Sequence, residues 1–138
     1  MNGEIAQLVK DRLADKMISF YEKNKRRYYI EVNPKDIYEV SRILFEELKL
    51  RFATASGMDT PTGIEIVYHF SHDKTGKMFN VRVLIPDKDK PEIESIAPLI
   101  KGAEWIEREI WELLGVNFKG HPNLKHLILR EDWPEGDY

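Results

Sequence analysis

"GIEIVYHFSHDKTGKMFNVRVLI", from Gly63 to Ile85, is the stretch that decides the fold. Both of its halves alternate with a two-residue period. Ile64, Ile66, Tyr68 and Phe70 line one face of the first half, and Phe79, Val81, Val83 and Ile85 line one face of the second. Residues two apart share a face of a strand, so each half reads as a strand with one apolar side. The connector "HDKTGK" carries the Asp and Gly of a hairpin loop. Pairing across that loop merges the two apolar rows into a single sheet face, against which helices must pack.

Upstream, "LRFATAS" (50–56) is another run of period two, joined to the hairpin by "GMDTPTG" (57–63), which reads as a second loop. Before it, Asn33, Pro34 and Asp36 form a helix start: a capping side chain, a proline at the first helical position and an acid in the first turn. Ile37, Val40, Leu44 and Leu48 give that helix its buried stripe. Tyr28, Ile30 and Val32 alternate with Tyr29 and Glu31 as a first strand. Ile5, Val9, Leu13, Met17 and Phe20 recur at three- and four-residue steps, which predicts an amphipathic helix over residues 3–22. The basic cluster "KNKRR" (23–27) then reads as a solvated helix end that complements the dipole.

Downstream, "PDKDKPEIES" (86–95) is a polar connection, and Ser95 is placed to cap a short turn from Ile96 to Ile100, interrupted near Pro98. A third helix spans Ala103–Leu114 and stops at Gly115. The expected architecture is α+β: a two-layer domain over residues 1–116, with helices packed on a mixed sheet of about four or five strands. Residues 117–138 are expected to form an irregular tail. Gly120, Pro122, Pro134 and Gly136 break regular structure there, yet Phe118, Leu124, Leu127, Ile128, Leu129 and Trp133 are apolar. Such a segment must lie across its own domain or across a partner.

Composition narrows the function. The net charge is -3, without the basic excess of a nucleic-acid binder. No apolar run reaches the roughly 18 residues of a membrane span, and the N-terminus lacks the form of a secretory signal, so a cytoplasmic location is expected. Cysteine is absent, which rules out disulfides, a thiolate nucleophile and cysteine-held iron–sulfur clusters in this sequence. A third of the residues are charged, and Gln7 is the lone glutamine, a bias that leans towards a thermophile.

The helix "AEWIEREIWELL" is crowded with candidate residues. On a wheel, Ala103, Ile106, Ile110, Leu113 and Leu114 share the core side, and Glu107 falls at its edge, where a carboxylate needs a partner. Arg108 points outward between Glu104 and Glu112 as an ion-pair ladder. Trp105 lies on the outer side next to Glu109. Glu107 and Glu109 diverge by about 200° and do not converge as an acid/base pair. Two readings remain: a satisfied structural Glu107 among solvated charges, or a protein contact anchored on Trp105. The four histidines, His69, His72, His121 and His126, lack the cysteines or the helical His–Glu–His pattern of a zinc site. His121, before Pro122, reads as a turn residue bonded within its own loop.

The segment "PEIESIAPLIKGAEWIEREIWELLGVNFKGHPNLKHLILREDW" (91–133) resembles the signature of the respiratory complex I 30 kDa subunit family, a component of NADH–quinone oxidoreductase. That family also supplies a small subunit to membrane-bound nickel–iron hydrogenases of archaea. The matching positions are Pro91, Ser95, Ala103, Trp105, Glu107, Arg108, Glu109, Gly115, Phe118, Gly120, His121, Pro122, Leu124, Leu129, Asp132 and Trp133. Glu112 and Asn123 stand where Asp is more usual, and the family normally continues past Gly136 with a Pro-Leu-Arg-Lys segment, whereas this sequence stops at Tyr138.

The resemblance implies a subunit without cofactor or chemistry of its own. It would buttress a large hydrogenase-like catalytic subunit and an iron–sulfur subunit in the peripheral arm of an ion-pumping complex. Iron–sulfur clusters and a nickel–iron centre would belong to those partners, and the membrane would be reached only through the complex. Trp105, Glu109, Phe118, His121, Pro122, Leu124 and Trp133 are the expected partner contacts; Glu107, Arg108, Gly115 and Gly120 are the expected structural motif. A hydrogenase-type parent fits the compact, thermophile-like chain. A quinone oxidoreductase fed by NADH or another carrier is the alternative, and a stand-alone histidine metal domain is a distant third.

Overall fold

The computed structural model describes residues 4–122, and the chain opens there with α1 (Glu4–Arg12). Ile5, Val9 and Leu13 are buried, as their spacing predicts. The helix does not run to residue 22. It closes through Leu13, whose carbonyl accepts from the amides of Lys16 and Met17, and residues Met17–Asn24 form β1. β1 pairs antiparallel with β2 (Arg27–Val32). The reason for the difference is a bulge. A register shift between Met17 and Ser19 puts Met17 opposite Val32 and Phe20 opposite Ile30, so both pack against the core from positions three apart. A bulged strand thereby imitates helical spacing.

Asn33 accepts from the Lys35 amide at 3.1 Å and starts a 3-10 turn at Pro34–Asp36, followed by α2 (Ile37–Arg42). The helix widens at Ile43–Glu47, where Leu48 donates to the Ile43 carbonyl at 2.9 Å. The sheet continues with β3 (Arg51–Thr60), β4 (Gly63–His72) and β5 (Lys77–Ile85). β4 and β5 pair antiparallel as the sequence predicts, with Ile66 opposite Val83, Tyr68 opposite Val81 and Phe70 opposite Phe79.

β3 is longer than expected, and only Pro61 and Thr62 lie between it and β4. Gly57, expected in a loop, is inside the strand. A Cβ there would meet Leu114 Cδ1 at 2.8 Å and Ile110 Cγ2 at 3.1 Å, so its role is to let a helix approach the backbone.

The strand order is β1-β2-β5-β4-β3, a mixed sheet in which β2 and β5 run parallel and the other pairs antiparallel. After β5 come β6 (Glu92–Glu94), α3 (Ala103–Leu114) and β7 (Asn117–Lys119). β7 lies at the start of the segment read from the sequence as a tail and pairs parallel with β6, Ile93 opposite Phe118. The helices and the β6–β7 corner share one core with the apolar sheet face. The other face carries the row Ser19, Glu31, Arg82, Val67 and Ser56, in which Arg82 lies 3.6 Å from Glu31 and 3.4 Å from Glu65.

Candidate partner interface

α3 is fixed from its inner side. Ala103, Glu107 and Ile110 are buried, and Gly115 closes the helix with φ of 75°, its amide donating to the Trp111 carbonyl at 2.8 Å. Glu107 is fully enclosed. Its carboxylate accepts from the Ser95 hydroxyl at 2.6 Å and from the Ile96 amide at 2.9 Å, while Ser95 Oγ accepts from the Ala97 amide at 3.0 Å. The capping serine expected from the sequence thus has a second task, tying its turn to the helix. Burial pushes the Glu107 carboxyl up to about 7, against the bonds from Ser95, Ile96 and Ala97 that pull it down.

Two further groups stand beside it. The Tyr68 hydroxyl is buried, with no hydrogen-bond partner among the described residues, and burial followed by the Glu107 charge pushes its ionisation well up. His121 Nε2 lies 4.0 Å from Glu107 Oε1 and donates to the Glu104 carbonyl at 2.8 Å. The sequence alone names no partner for Glu107 and does not single out Tyr68. The serine cap and the edge carboxylate, twelve residues apart, are the signal that could have joined them.

Two expected partner contacts, Phe118 and His121, turn inward. Phe118 is 1% exposed and packs in this chain's own core. The His121 side chain is enclosed and bonds α3, while its amide donates to the Phe118 carbonyl at 3.2 Å within its own loop. Gly120 and Pro122 are exposed. Leu124, His126 and Trp133 lie outside the described residues. His69 and His72 bond Asn80 at 2.6 Å and Thr75 at 2.8 Å, and no group of three His, Asp or Glu among the described residues is placed to hold a metal.

The outer side of α3 is different. Trp105 is 62% exposed and Leu113, expected in the core, is 82% exposed. The helix leans on the sheet through Trp111 and Leu114, which leaves Leu113 on the far flank of the apolar arc. Trp105, Glu109 and Leu113 follow one another at four-residue steps and form one outward stripe. Trp105 Nε1 donates to Glu109 at 3.1 Å, and the Arg108 guanidinium lies 4.8 Å from the centre of the indole. The expected Arg108 ladder does not form: among the described residues Arg108 has no ion pair with Glu104 or Glu112, and its buried Nε is unbonded. The cation stiffens the tryptophan instead.

The described residues contain no converging acid/base pair on this helix. Glu107 is sealed inside and Glu109 faces out, so the site can anchor a surface but presents no reacting pair to a substrate. No helix among the described residues is long and apolar enough to cross a membrane.

An NADH-quinone oxidoreductase subunit of Nocardioides sp. is 36% identical over 107 residues, covering 72% of this chain and 42% of that protein. An F(420)H(2) dehydrogenase subunit of Methanosarcina mazei is 39% identical over 87 residues, 59% of this chain and 54% of its own length. The chain therefore spans about half or less of these relatives. A chain from the membrane-bound sulfane sulfur reductase, an archaeal respiratory membrane complex, superposes with a TM-score of 0.80 at 25% identity, covering 94% of this chain and 76% of that one. Residues 30–137 match the family of the respiratory-chain NADH dehydrogenase 30 kDa subunit, and with more than half its length inside that match the chain belongs to this family.

Proposed function

We propose that this chain is a non-catalytic structural subunit in the cytoplasmic peripheral arm of a membrane-bound, ion-pumping oxidoreductase. It braces a large hydrogenase-like catalytic subunit and an iron–sulfur subunit. The observation that carries the reading is the Trp105–Glu109–Leu113 stripe, apolar at both ends and exposed on a helix whose inner side is locked by Glu107. A stiff helix offering a pre-ordered tryptophan is a good anchor, because little side-chain freedom is left to lose on docking. The clusters and any nickel–iron centre belong to the neighbours; the cysteine-free sequence offers no thiolate to hold them.

The likeness to a chain of the membrane-bound sulfane sulfur reductase along 94% of the sequence supports a parent among respiratory membrane complexes, and the hydrogenase-type reading itself rests on the compact, thermophile-like sequence. A complex oxidising a reduced carrier is the second reading, favoured by the kinship with the dehydrogenase subunit of Methanosarcina mazei. Capture of the tagged chain from native membranes tests both. Co-purification of a large subunit bearing cysteine ligands for nickel supports the first parent, and a large subunit without them, accompanied by a carrier-oxidising subunit, supports the second. Recovery of the chain alone from gently solubilised membranes would overturn the structural-subunit reading.

A further inference from the structure

At the far edge of the sheet from α3, a depression of about 720 Å³ opens between α1, β1 and two strand turns. Among the described residues its walls carry five cations: Lys10 from α1, Lys25 and Arg26 from the β1–β2 turn, and Lys74 and Lys77 from the β4–β5 connection and the start of β5. Among the described residues, Glu22 is the one anion on the lining. None of these cations has a carboxylate partner among the described residues, although the chain as a whole is acidic. From the sequence, residues 23–27 read as a mere solvated helix end; with that helix replaced by a strand turn, the basic cluster becomes one lip of a trough.

Lys77 is the unusual member. It is 9% exposed, and its ammonium donates to the Lys25 carbonyl at 2.8 Å and to the Tyr28 hydroxyl at 3.0 Å, 5.3 Å from the Tyr28 ring centre. Its third N–H has no acceptor among the described residues. A buried cation without a counter-charge is costly unless an anion completes it.

We infer that this trough is a second docking surface, which receives an acidic polypeptide segment of a neighbouring subunit. The cations are dispersed over separate elements, so their partner needs charges spaced along its length. A compact phosphate would meet Glu22 as well as the lysines, whereas an extended chain can place carboxylates on the cations and a backbone amide on Glu22. Phe20 and Tyr28, tilted at 5.7 Å, give the floor an apolar base for the segment's side chains. This goes beyond the α3 contact and does not depend on it. The subunit would then be held at both edges of its sheet.

Fluorescence anisotropy of the full chain with a labelled oligoglutamate peptide tests the assignment, with inorganic pyrophosphate and phosphatidylglycerol vesicles as competitors. Two charge-matched double variants are compared: Lys25→Glu with Arg26→Glu in the trough, and Lys90→Glu with Lys101→Glu elsewhere on the surface. The trough pair should weaken peptide binding by roughly tenfold or more and the control pair by about twofold or less. Lys77→Met should weaken it too; the exposed turn pair decides the matter if Lys77→Met unfolds. Equal losses from both pairs, no binding to the unmodified chain, or a preference for pyrophosphate or vesicles that the trough pair abolishes would each overturn the proposal.

Discussion

The two edges of the sheet solve opposite problems. At the α3 edge, β6, β7 and the turn after Ser95 lie around Glu107, whose carboxyl is bonded by Ser95 and Ile96, with Phe118 in the core. At the α1 edge, β1 is half-open, bulged and flanked by cations without carboxylate partners among the described residues. One edge is completed from within, and its outward stripe is an addition to a finished core. The other is left unbalanced in charge. Completion within the chain gives rigidity, whereas unspent charge gives a partner something to satisfy.

That contrast can be broken most directly at Phe118. Phe118→Ala is expected to cost about 3–5 kcal/mol in denaturant melts, and Phe20→Ala, half-buried at the opposite edge, about half as much. Equal small losses would show that the β6–β7 corner is no more integral than the open edge.

Glu107 sharpens the comparison through pH. Its folded pKa of about 7 lies above the ordinary carboxyl value of 4.5, so the folded state holds the proton more tightly than the unfolded chain. The associated stability is complete below pH 4.5 and is lost as pH rises through 7, a swing on the order of 3 kcal/mol. Glu107→Gln should flatten that slope when unfolding free energies are compared between pH 4.5 and 7. An unchanged slope would place the titrating group elsewhere.

The smallest effect on folding is expected at Trp105. Trp105→Ala should shift stability by no more than about 0.5 kcal/mol, since the side chain is largely in water, while reducing co-purification with the companion subunits. Unfolding of the isolated variant would make Trp105 part of the chain's own packing and remove the anchor.

The β4–β5 hairpin is readable because alternation over nine or ten residues has one physical solution, a half-buried strand. The third helix and its glycine stop are readable for the same kind of reason: periodicity and a left-handed cap are local properties. Met17 and Phe20 mislead because a bulge shifts a strand's alternation by one residue, and three-residue spacing then looks helical. Gly57 looks like a loop breaker because what needs the missing Cβ is Leu114, fifty-seven positions on and invisible from the residue's neighbours. In the candidate site, the wheel places Trp105 outward correctly but Leu113 inward, since it shows an apolar arc without showing where the sheet lies beneath it.

By itself, then, the sequence determined the α+β class, the hairpin, the capped turns, the family signature and the lack of cysteine, all properties of composition or of near neighbours. The tertiary structure decided that Phe118 and His121 face inward, that Ser95 and Glu107 join, and that five scattered cations share one trough. These depend on which distant segments meet, and burial, desolvation and uncompensated charge have no value until those segments have met.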